Sequence, residues 1–312
     1  MSTSITAPAG RPAPSRGSST SQTEAPRPIT GKSISVGRRV RNTTATVLVG
    51  LAVLVAAVPL AFVLVYVVSK GGGVFNLAFL TESIPISSRR AGPGMGPAVA
   101  GTLLITGAAT LMAVPLGILA AVYLNEYGQA NRLAAAIRFL SDVMAGVPSI
   151  VMGLFIYTVW VLRFGMSGFA GALALACLML PIVIRSTEGV LRLVPRDLRE
   201  ASTALGARTS RTILTVVIPA ALPGITSGCL LAVARAAGET APLLFTIGTV
   251  RALNPNLFEG TNTALSAQIF VNAQLPFVAA QNRAWGAALT LILLVLLLTI
   301  IARIISARFT VR

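Results

Sequence analysis

The chain has 312 residues, of which 54% are hydrophobic and only 11% carry a charge. A soluble domain carries roughly 25% charged residues, so this composition excludes a protein surrounded by water. The absence of histidine and the presence of only two cysteines exclude a histidine-ligated metal, a histidine-based catalytic triad and a disulfide framework. The net charge of +16 comes from basic residues that separate apolar segments, which is typical of membrane proteins and argues against nucleic-acid binding.

The first residues differ in composition from the rest of the chain. Residues 1–42 are rich in Pro, Ser, Thr and Arg and lack hydrophobic periodicity, which predicts a disordered tail. Six apolar segments follow, each close to the length of about 20 residues that crosses a bilayer as a helix. They cover 44–68, 98–124, 141–163, 168–185, 220–249 and 285–305. Because unpaired strands would leave backbone polar groups unsatisfied in lipid, the predicted fold is all-α, a polytopic integral membrane protein with six transmembrane helices.

The basic residues between these segments predict the orientation. If the N-terminus lies in the cytoplasm, the cytoplasmic stretches hold 18 Lys and Arg residues and the external stretches hold 6. This ratio follows the positive-inside rule, so we expect both termini in the cytoplasm. The expected organisation is a tail over 1–42, a first helix with its external loop over 43–97, a core over 98–305 and a cytoplasmic C-terminus over 306–312.

Each of the first five predicted spans contains a proline. They are Pro59, Pro115, Pro148, Pro181 and Pro242. Proline removes a helix hydrogen bond and favours a kink, which membrane proteins accept where a neighbouring helix or a water-lined path satisfies the backbone. Proline is also commoner in membrane helices than in soluble ones. Five consecutive spans with proline favour a transport pathway, whereas the sixth span is predicted to be a plain structural helix.

A polar loop between the fourth and fifth spans has a distinct helical pattern. Pro195 suits a first helical turn, where the acidic groups of Asp197 and Glu200 favour the helix dipole. Gly206 is expected to end this helix, and a second basic helix leads back to the membrane. The pattern predicts a helical hairpin on the cytoplasmic surface; an ordinary amphipathic interfacial loop is the alternative.

Three ionisable residues fall at or near bilayer depth, where charges are costly and are functional candidates. Arg235 and Glu239 are four residues apart, so on a helix they share a face and are able to pair. Arg235 is about 22 Å into its span. Arg185 lies near the end of the fourth span. The alternatives are an ion pair that only orients the helix and, for Arg185, a basic anchor at the interface. The functional interpretation is an anion path, because arginine binds oxyanions with a planar, permanently charged fork.

The loop resembles the EAA loop of ABC importer permeases. The residues that carry this likeness are Glu200-Ala201-Ser202, Gly206, Val216 and Ile218-Pro219, with the family's spacing throughout. The departures are Ser202 for a second Ala, Val216 for Ile, and Ile218 for Leu. The resemblance implies a type I ABC permease core in which Glu200, Ala201 and Gly206 belong to helices that dock on a separate ATPase subunit. The chain itself is then not an enzyme and holds no cofactor, and ATP and magnesium bind in the partner.

The stretch from Ala234 to Pro242 resembles the A-R-A-x-G-E-T-A-P motif of the phosphate importer permeases, the PstA and PstC families. Further likenesses lie at Pro148–Phe155, Gly96–Leu103 and Leu180–Arg185, and the run Arg185–Pro195 is more similar to PstA. The resemblance covers roughly residues 70–305 and implies that Arg185, Arg235 and Glu239 take part in phosphate movement. It also implies a bacterial cytoplasmic membrane, a PstC-like second permease, a PstB-like ATPase dimer and a PstS-like phosphate-binding protein.

Other functions remain open on the sequence. A permease of the same type for another oxyanion, such as phosphonate or molybdate, would share the loop and the arginines. An ATP-independent channel or secondary transporter would not need the docking loop. A purely structural membrane scaffold is disfavoured, because it would not need an ion pair at the depth of Arg235 and Glu239.

Overall fold

The computed structural model describes residues 36–92, 94–128 and 131–309, with side chains up to Ile304. All regular elements in these ranges are helical. The first helices are α1 (Val36–Gly71), α2 (Leu77–Thr81), α3 (Gly96–Val122), α4 (Arg132–Gly146), α5 (Ser149–Ile156) and α6 (Leu162–Phe164). The others are α7 (Gly168–Leu193), α8 (Arg196–Ala204), α9 (Thr209–Thr212), α10 (Ile218–Gly238), α11 (Ala241–Thr246), α12 (Leu265–Ala273) and α13 (Val278–Phe309). Single π-helical turns over Tyr123–Tyr127, Tyr157–Val161 and Ile213–Val217 continue α3, join α5 to α6, and join α9 to α10.

Five helical stretches are long and apolar enough to cross a membrane, and a bent pair makes a sixth if it is counted as one span. The pair consists of Arg132–Gly146 and Ser149–Phe164, which meet at 105°. The sequence predicted one span over 141–163 with a kink favoured at Pro148, whereas the structure has two helices that meet there at a sharp angle. Pro148 explains it, because the residue before a proline avoids helical backbone angles and proline itself supplies no amide hydrogen.

The fifth span is also shorter than predicted. The helix ends at Gly238, not near residue 249, and α11 begins three residues later, at Ala241. Pro242 lies in the first turn of α11, where backbone amides have no partner within the helix, so a proline there costs no hydrogen bond. In contrast, Pro59, Pro115 and Pro181 lie inside α1, α3 and α7, which continue past them. Proline therefore marks two breaks and does not interrupt every span.

The first helix begins earlier in the chain than the predicted end of the tail. Helix α1 begins at Val36, so residues 36–42 are helical although the sequence assigned them to the disordered tail. Extending an existing helix by a turn needs no new nucleus, and arginine is a good helix former. Residues 1–35 lie outside the described part of the chain, as do residues 310–312. Helix α13 begins at Val278, before the predicted 285, and reaches Phe309.

The chain divides into two compact units, 1–59 and 60–312. In the first unit, the described residues 36–59 are all exposed. In the second unit, α7 is central. In its 18-residue apolar stretch 61% of the residues are buried, against at most 28% in the corresponding stretches of the other four long helices. It packs between α3 and α10 through small residues. A Cβ on Gly117 would lie 2.6 Å from Val183 Cγ1, and one on Gly224 would lie 2.5 Å from Val190 Cγ1. Close backbone approach at small residues is how membrane helices associate.

Candidate functional site

Arg235 and Glu239 lie where α10 gives way to α11. Arg235 is in the last turn of α10, and Glu239 is the residue that caps it, with extended backbone angles. Their side chains pair across 3.6 Å between Nε and Oε1. The predicted pair is therefore present, although the helix ends between the two residues. The Arg235 side chain is 69% exposed and that of Glu239 is 20% exposed, so the guanidinium is accessible to an anion.

The break at Glu239 is held by the neighbouring helix. The Glu239 amide donates to Ala236 O at 3.2 Å, and Ser266 Oγ of α12 donates to Glu239 O at 3.0 Å. The two motifs that the sequence analysis singled out also meet here, because a Cβ on Gly153 of α5 would lie 2.5 Å from Pro242 Cα. Irregular backbone at membrane depth is tolerated where protein or a water-filled cavity surrounds it. The break is therefore an ordered feature of the bundle, held by α5 and α12, and is a candidate for a functional site.

Arg185 belongs to a different cluster, centred on a buried carboxylate. Its guanidinium contacts Asp142 of α4 in a close ion pair and reaches Glu188 at 3.4 Å. Glu188 is 3% exposed and also accepts from Arg138 Nε at 2.8 Å and from Arg192 Nη2 at 2.6 Å. Three arginines therefore share one buried carboxylate at the α4–α7 contact. The sequence named Arg185 but missed Glu188, Arg138 and Asp142 as its partners.

Arg185 and Arg235 lie on the neighbouring helices α7 and α10, and the Arg185 side chain contacts α4. Ser186 packs on Gly228, where an added Cβ would lie 2.6 Å from Ser186 Cβ, and Val190 packs on Gly224. These two pairings make α7 and α10 antiparallel. Arg235 then lies about six residue rises, or about 9 Å, beyond Arg185 along the bundle. The two arginines therefore lie at successive levels of the bundle, Arg185 at the α4–α7 contact and Arg235 on α10.

The predicted hairpin is present and begins where α7 ends. Helix α8 has no buried residue, and Leu205, which caps its end, is 90% exposed. Gly206 has a φ of +81°. Its amide donates to Thr203 O at 2.9 Å and the next amide, of Ala207, donates to Ser202 O at 3.2 Å. These bonds form a Schellman motif, which satisfies the last carbonyls of a helix and requires a left-handed residue at the position of Gly206.

Two contacts fix the hairpin to the bundle and to itself. Arg199 bonds both oxygens of Glu126, at 2.9 Å and 3.3 Å, and also donates to the carbonyls of Val194 and Leu191. Ser202 Oγ lies 2.8 Å from Thr212 Oγ1, so the serine that replaces the second Ala of the EAA pattern joins α8 to α9. Glu200 and Ala201 are exposed on this hairpin. A cleft of about 700 Å³ beside it is lined by Glu126, Arg199 and Glu200, among others.

Comparison with known proteins identifies the family. The model of the binding-protein-dependent transport system inner membrane component matches residues 113–311, which is more than half of the chain. The chain belongs to this family. It is a permease, the translocation component of an ABC transporter, and an inner-membrane protein.

Named relatives of this permease are phosphate transport proteins. It is 42% identical over 283 residues to the phosphate transport system permease protein PstA 1 of Mycobacterium tuberculosis, covering 89% of this chain and 93% of the relative. It is 46% identical to PstA of Mycobacterium leprae over 266 residues, covering 84% and 87% of the two chains. It is 44% identical to PstA of Yersinia pestis over 272 residues, covering 87% and 92%.

Solved structures support the type of fold. A chain of the MetNI methionine ABC transporter in inward-facing conformations matches with a TM-score of 0.56 and 19% identity, over 69% of this permease and 94% of that chain. A chain of an amino acid ABC transporter matches with a TM-score of 0.50 over 68% and 94%. At this identity the likeness concerns the fold alone, and it confirms the predicted MetI-like helical core.

Proposed function

We propose that this permease imports inorganic phosphate across the bacterial cytoplasmic membrane, driven by ATP hydrolysed in a separate subunit. The observation that carries the proposal is the accessible Arg235 guanidinium, held 3.6 Å from Glu239 at a helix break in a chain similar to PstA proteins. An anion that displaces Glu239 from Arg235 gains two charge-assisted hydrogen bonds. Glu239 then competes for the arginine again, which keeps affinity low enough for release.

Arg185 takes the second level of the same path in this proposal. It lies about 9 Å further along the bundle axis, toward the end of the bundle that carries the hairpin. Asp142 and Glu188 hold its side chain, so an anion passing from Arg235 meets a guanidinium whose position is already fixed. Pre-organised donors bind with a smaller loss of conformational entropy.

The test of the path is phosphate uptake by a bacterial strain that lacks its own phosphate importers and expresses the whole complex. Arg235→Ala removes the fork, and we expect uptake to be abolished while the complex still assembles. Hydrogen bonds to charged groups are worth about 1.5–3 kcal/mol, so Arg235→Lys, which keeps the charge without the fork, should lose about tenfold or more.

The matched control is Arg303→Ala, which removes an exposed arginine from α13. Normal uptake by Arg235→Ala would remove this residue from the path. Competition by phosphonate or molybdate during the same assay decides the substrate. If either anion were transported in place of phosphate, the permease would still be an oxyanion importer but the phosphate assignment would be wrong.

We further propose that the hairpin formed by α8, Gly206 and α9 docks on an ATPase dimer that binds ATP and magnesium. The accompanying subunits are a PstC-like second permease and a PstS-like phosphate-binding protein. Exposed Glu200 and Ala201, together with the exposed leucines Leu198 and Leu205, support a protein-facing surface. The clamp from Arg199 to Glu126 gives a docked ATPase a rigid connection to the end of α3.

Docking is tested by pull-down of the ATPase subunit with the purified permease. Glu200→Lys should weaken capture, whereas Glu259→Lys makes the same change at the opposite end of the bundle and should not. Equal capture by both variants would contradict the docking role of Glu200. A permease that kept full uptake with Gly206→Pro and co-purified with no ATPase would instead be a channel or secondary transporter.

A further inference from the structure

A second cavity lies at the end of the bundle opposite the α8–α9 hairpin. It has a volume of about 630 Å³, and its walls include Ser88, Thr249, Arg251, Gln268, Asn272 and Arg283. Helix α7 separates the two ends: the hairpin follows its last residue, whereas Phe169 in its first turn donates to Leu257 O near the cavity. With 26 residues, α7 is about 39 Å long. The cavity is therefore distinct from the hairpin cleft.

The cavity wall contains a buried arginine whose charge is not neutralised. Arg283 of α13 is 3% exposed. Its Nη1 donates to Arg90 O at 2.6 Å and its Nη2 to Ser88 O at 3.0 Å, while its Nε has no partner. Within the described part of the chain it forms no ion pair with a carboxylate. A buried guanidinium bound only to neutral carbonyls retains a charge that an anion would stabilise.

The remaining wall favours the same class of ligand. Arg251 is a second cation, and no acidic residue lines the cavity among the residues described. Within the same ranges, the side chains of Ser88, Thr249 and Arg251 form no hydrogen bond of their own. Gln268 and Asn272 are buried and bonded to each other at 2.9 Å, which fixes the wall that α12 contributes. The cavity therefore offers cationic and hydroxyl donors around an ordered wall.

Helix α12 connects this cavity with the break at Glu239. Ser266 donates to Glu239 O at 3.0 Å, and Gln268, two residues further along the same helix, lines the cavity. One short, well-packed helix therefore carries a wall of the cavity and a contact to the Arg235–Glu239 site. A ligand in the cavity would lie next to the proposed path and outside it.

We propose that this cavity is a binding site for a phosphate-type oxyanion, with Arg283 and Arg251 as the cationic groups and Ser88 and Thr249 as hydroxyl donors. The oxyanion is either free inorganic phosphate or the phosphate of a lipid headgroup, which present the same chemistry. The choice of phosphate rests on the proposed function, whereas the presence of an oxyanion site rests on the cavity alone.

The test is equilibrium binding of radiolabelled inorganic phosphate to the whole complex, purified in detergent without nucleotide. Every complex carries Arg235→Ala, which removes the first anion site of the proposed path, and the comparison with Arg251→Gln isolates binding in the cavity. We expect saturable binding that Arg251→Gln weakens about tenfold or more. Arg251 is exposed and has no side-chain bond to lose within the described residues, so this variant should fold normally. Arg283→Lys, which keeps the charge but loses the fork, should also bind more weakly.

The matched control is Arg163→Gln, which removes an exposed arginine outside the cavity wall. If the Arg251→Gln complex binds phosphate as tightly as the Arg163→Gln complex, or if no saturable binding is found, the proposal is wrong. Arg283 could instead serve only to hold the loop at Ser88 and Arg90. In that case Arg283→Lys would lower thermal stability, whereas Arg251→Gln would bind phosphate as tightly as the control, which would contradict the proposal.

Two further measurements separate the sources of the ligand and the proposals. Phosphate binding in detergent is compared with binding in nanodiscs of phosphatidylglycerol and of phosphatidylcholine, which both carry a headgroup phosphate. Loss of phosphate binding in either nanodisc assigns the cavity to a headgroup, and unchanged binding in both assigns it to free phosphate. Uptake by the wild-type complex is measured in parallel. Normal uptake without cavity binding refutes only the cavity site, whereas cavity binding of another oxyanion without phosphate uptake refutes only the proposed transport function.

Discussion

At the scale of single residues, Glu188 organises more of the charge than any residue that the sequence singled out. It accepts hydrogen bonds from Arg138, Arg185 and Arg192 and is almost fully buried. Arg138 in turn donates to Leu124 O at 2.6 Å, so the cluster joins α4, α7 and the end of α3. A buried carboxylate of this kind positions Arg185 rather than merely neutralising it.

Replacing this carboxylate tests the cluster. Glu188→Gln keeps the shape but leaves three arginines without their shared negative charge. We expect unfolding to become easier by about 1–3 kcal/mol, less than for a fully buried pair because the arginines retain contact with solvent. The apparent melting temperature of the purified complex and phosphate uptake should both fall. Glu82→Gln, at an exposed glutamate, is the control, and equal melting temperatures for the two variants would contradict the positioning role.

The sequence found Arg185, Arg235 and Glu239 because charges are rare in apolar spans. It paired Arg235 with Glu239 correctly because they are four residues apart. It did not find the Arg138–Glu188 contact, which joins residues 50 positions apart. Such contacts depend on which helices become neighbours, and apolar periodicity does not specify that. The assignment of all three residues to phosphate movement stays a prediction until uptake is measured.

At the scale of elements, the hairpin formed by α8 and α9 depends on one backbone conformation. The sequence predicted a helix, a break at Gly206 and a second helix, and the structure has this order. It also has the Schellman motif expected of a glycine after a helix. The clamp by Arg199 and the Ser202–Thr212 bond could not be predicted, because each joins elements whose relative placement is set by the whole bundle.

Gly206→Ala tests this conformation. No atom lies within 4 Å of the added Cβ, so the effect comes from the φ of +81° alone. A left-handed conformation costs a non-glycine residue about 1–2 kcal/mol. We expect lower ATPase activity of the complex and faster proteolysis within the hairpin. Gly206→Asn is the matched variant, because asparagine tolerates this conformation better, and it should retain more activity. If alanine and asparagine behaved alike, backbone strain at Gly206 would not control the hairpin.

At the scale of the whole molecule, the bundle is assembled around α7 and around the contact between α5 and α11. The second contact brings together two motifs that are almost 90 residues apart in the printed sequence. Gly153 fits against the backbone of Pro242 with no room for a Cβ. This contact fixes the bent pair α4–α5 to the break beside Glu239, so the two irregular regions of the bundle support each other.

Gly153→Ala should push α5 away from the backbone of Pro242 and so weaken the contact between the two irregular regions. Overpacking against backbone costs about 1–3 kcal/mol, because the neighbour cannot rotate away as a side chain can. We expect a lower melting temperature of the complex and reduced phosphate uptake. Gly107→Ala is the matched control, since it adds the same methyl group to an exposed position on α3 with no atom within 4 Å. Unchanged uptake and melting temperature in Gly153→Ala would show that the contact is not needed.

The sequence by itself determined the class of this protein: a helical membrane protein, the approximate position of its spans, the hairpin and the rare charges within them. These features are local, because backbone hydrogen bonding in lipid must be satisfied within each segment and the required length is fixed by the bilayer. Only the tertiary structure decided which of the five prolines break their helices, which residues surround Arg185, and that Arg283 lies buried beside a cavity. Those features depend on which small-residue faces pack together, and many arrangements of similar apolar helices satisfy the sequence pattern equally well.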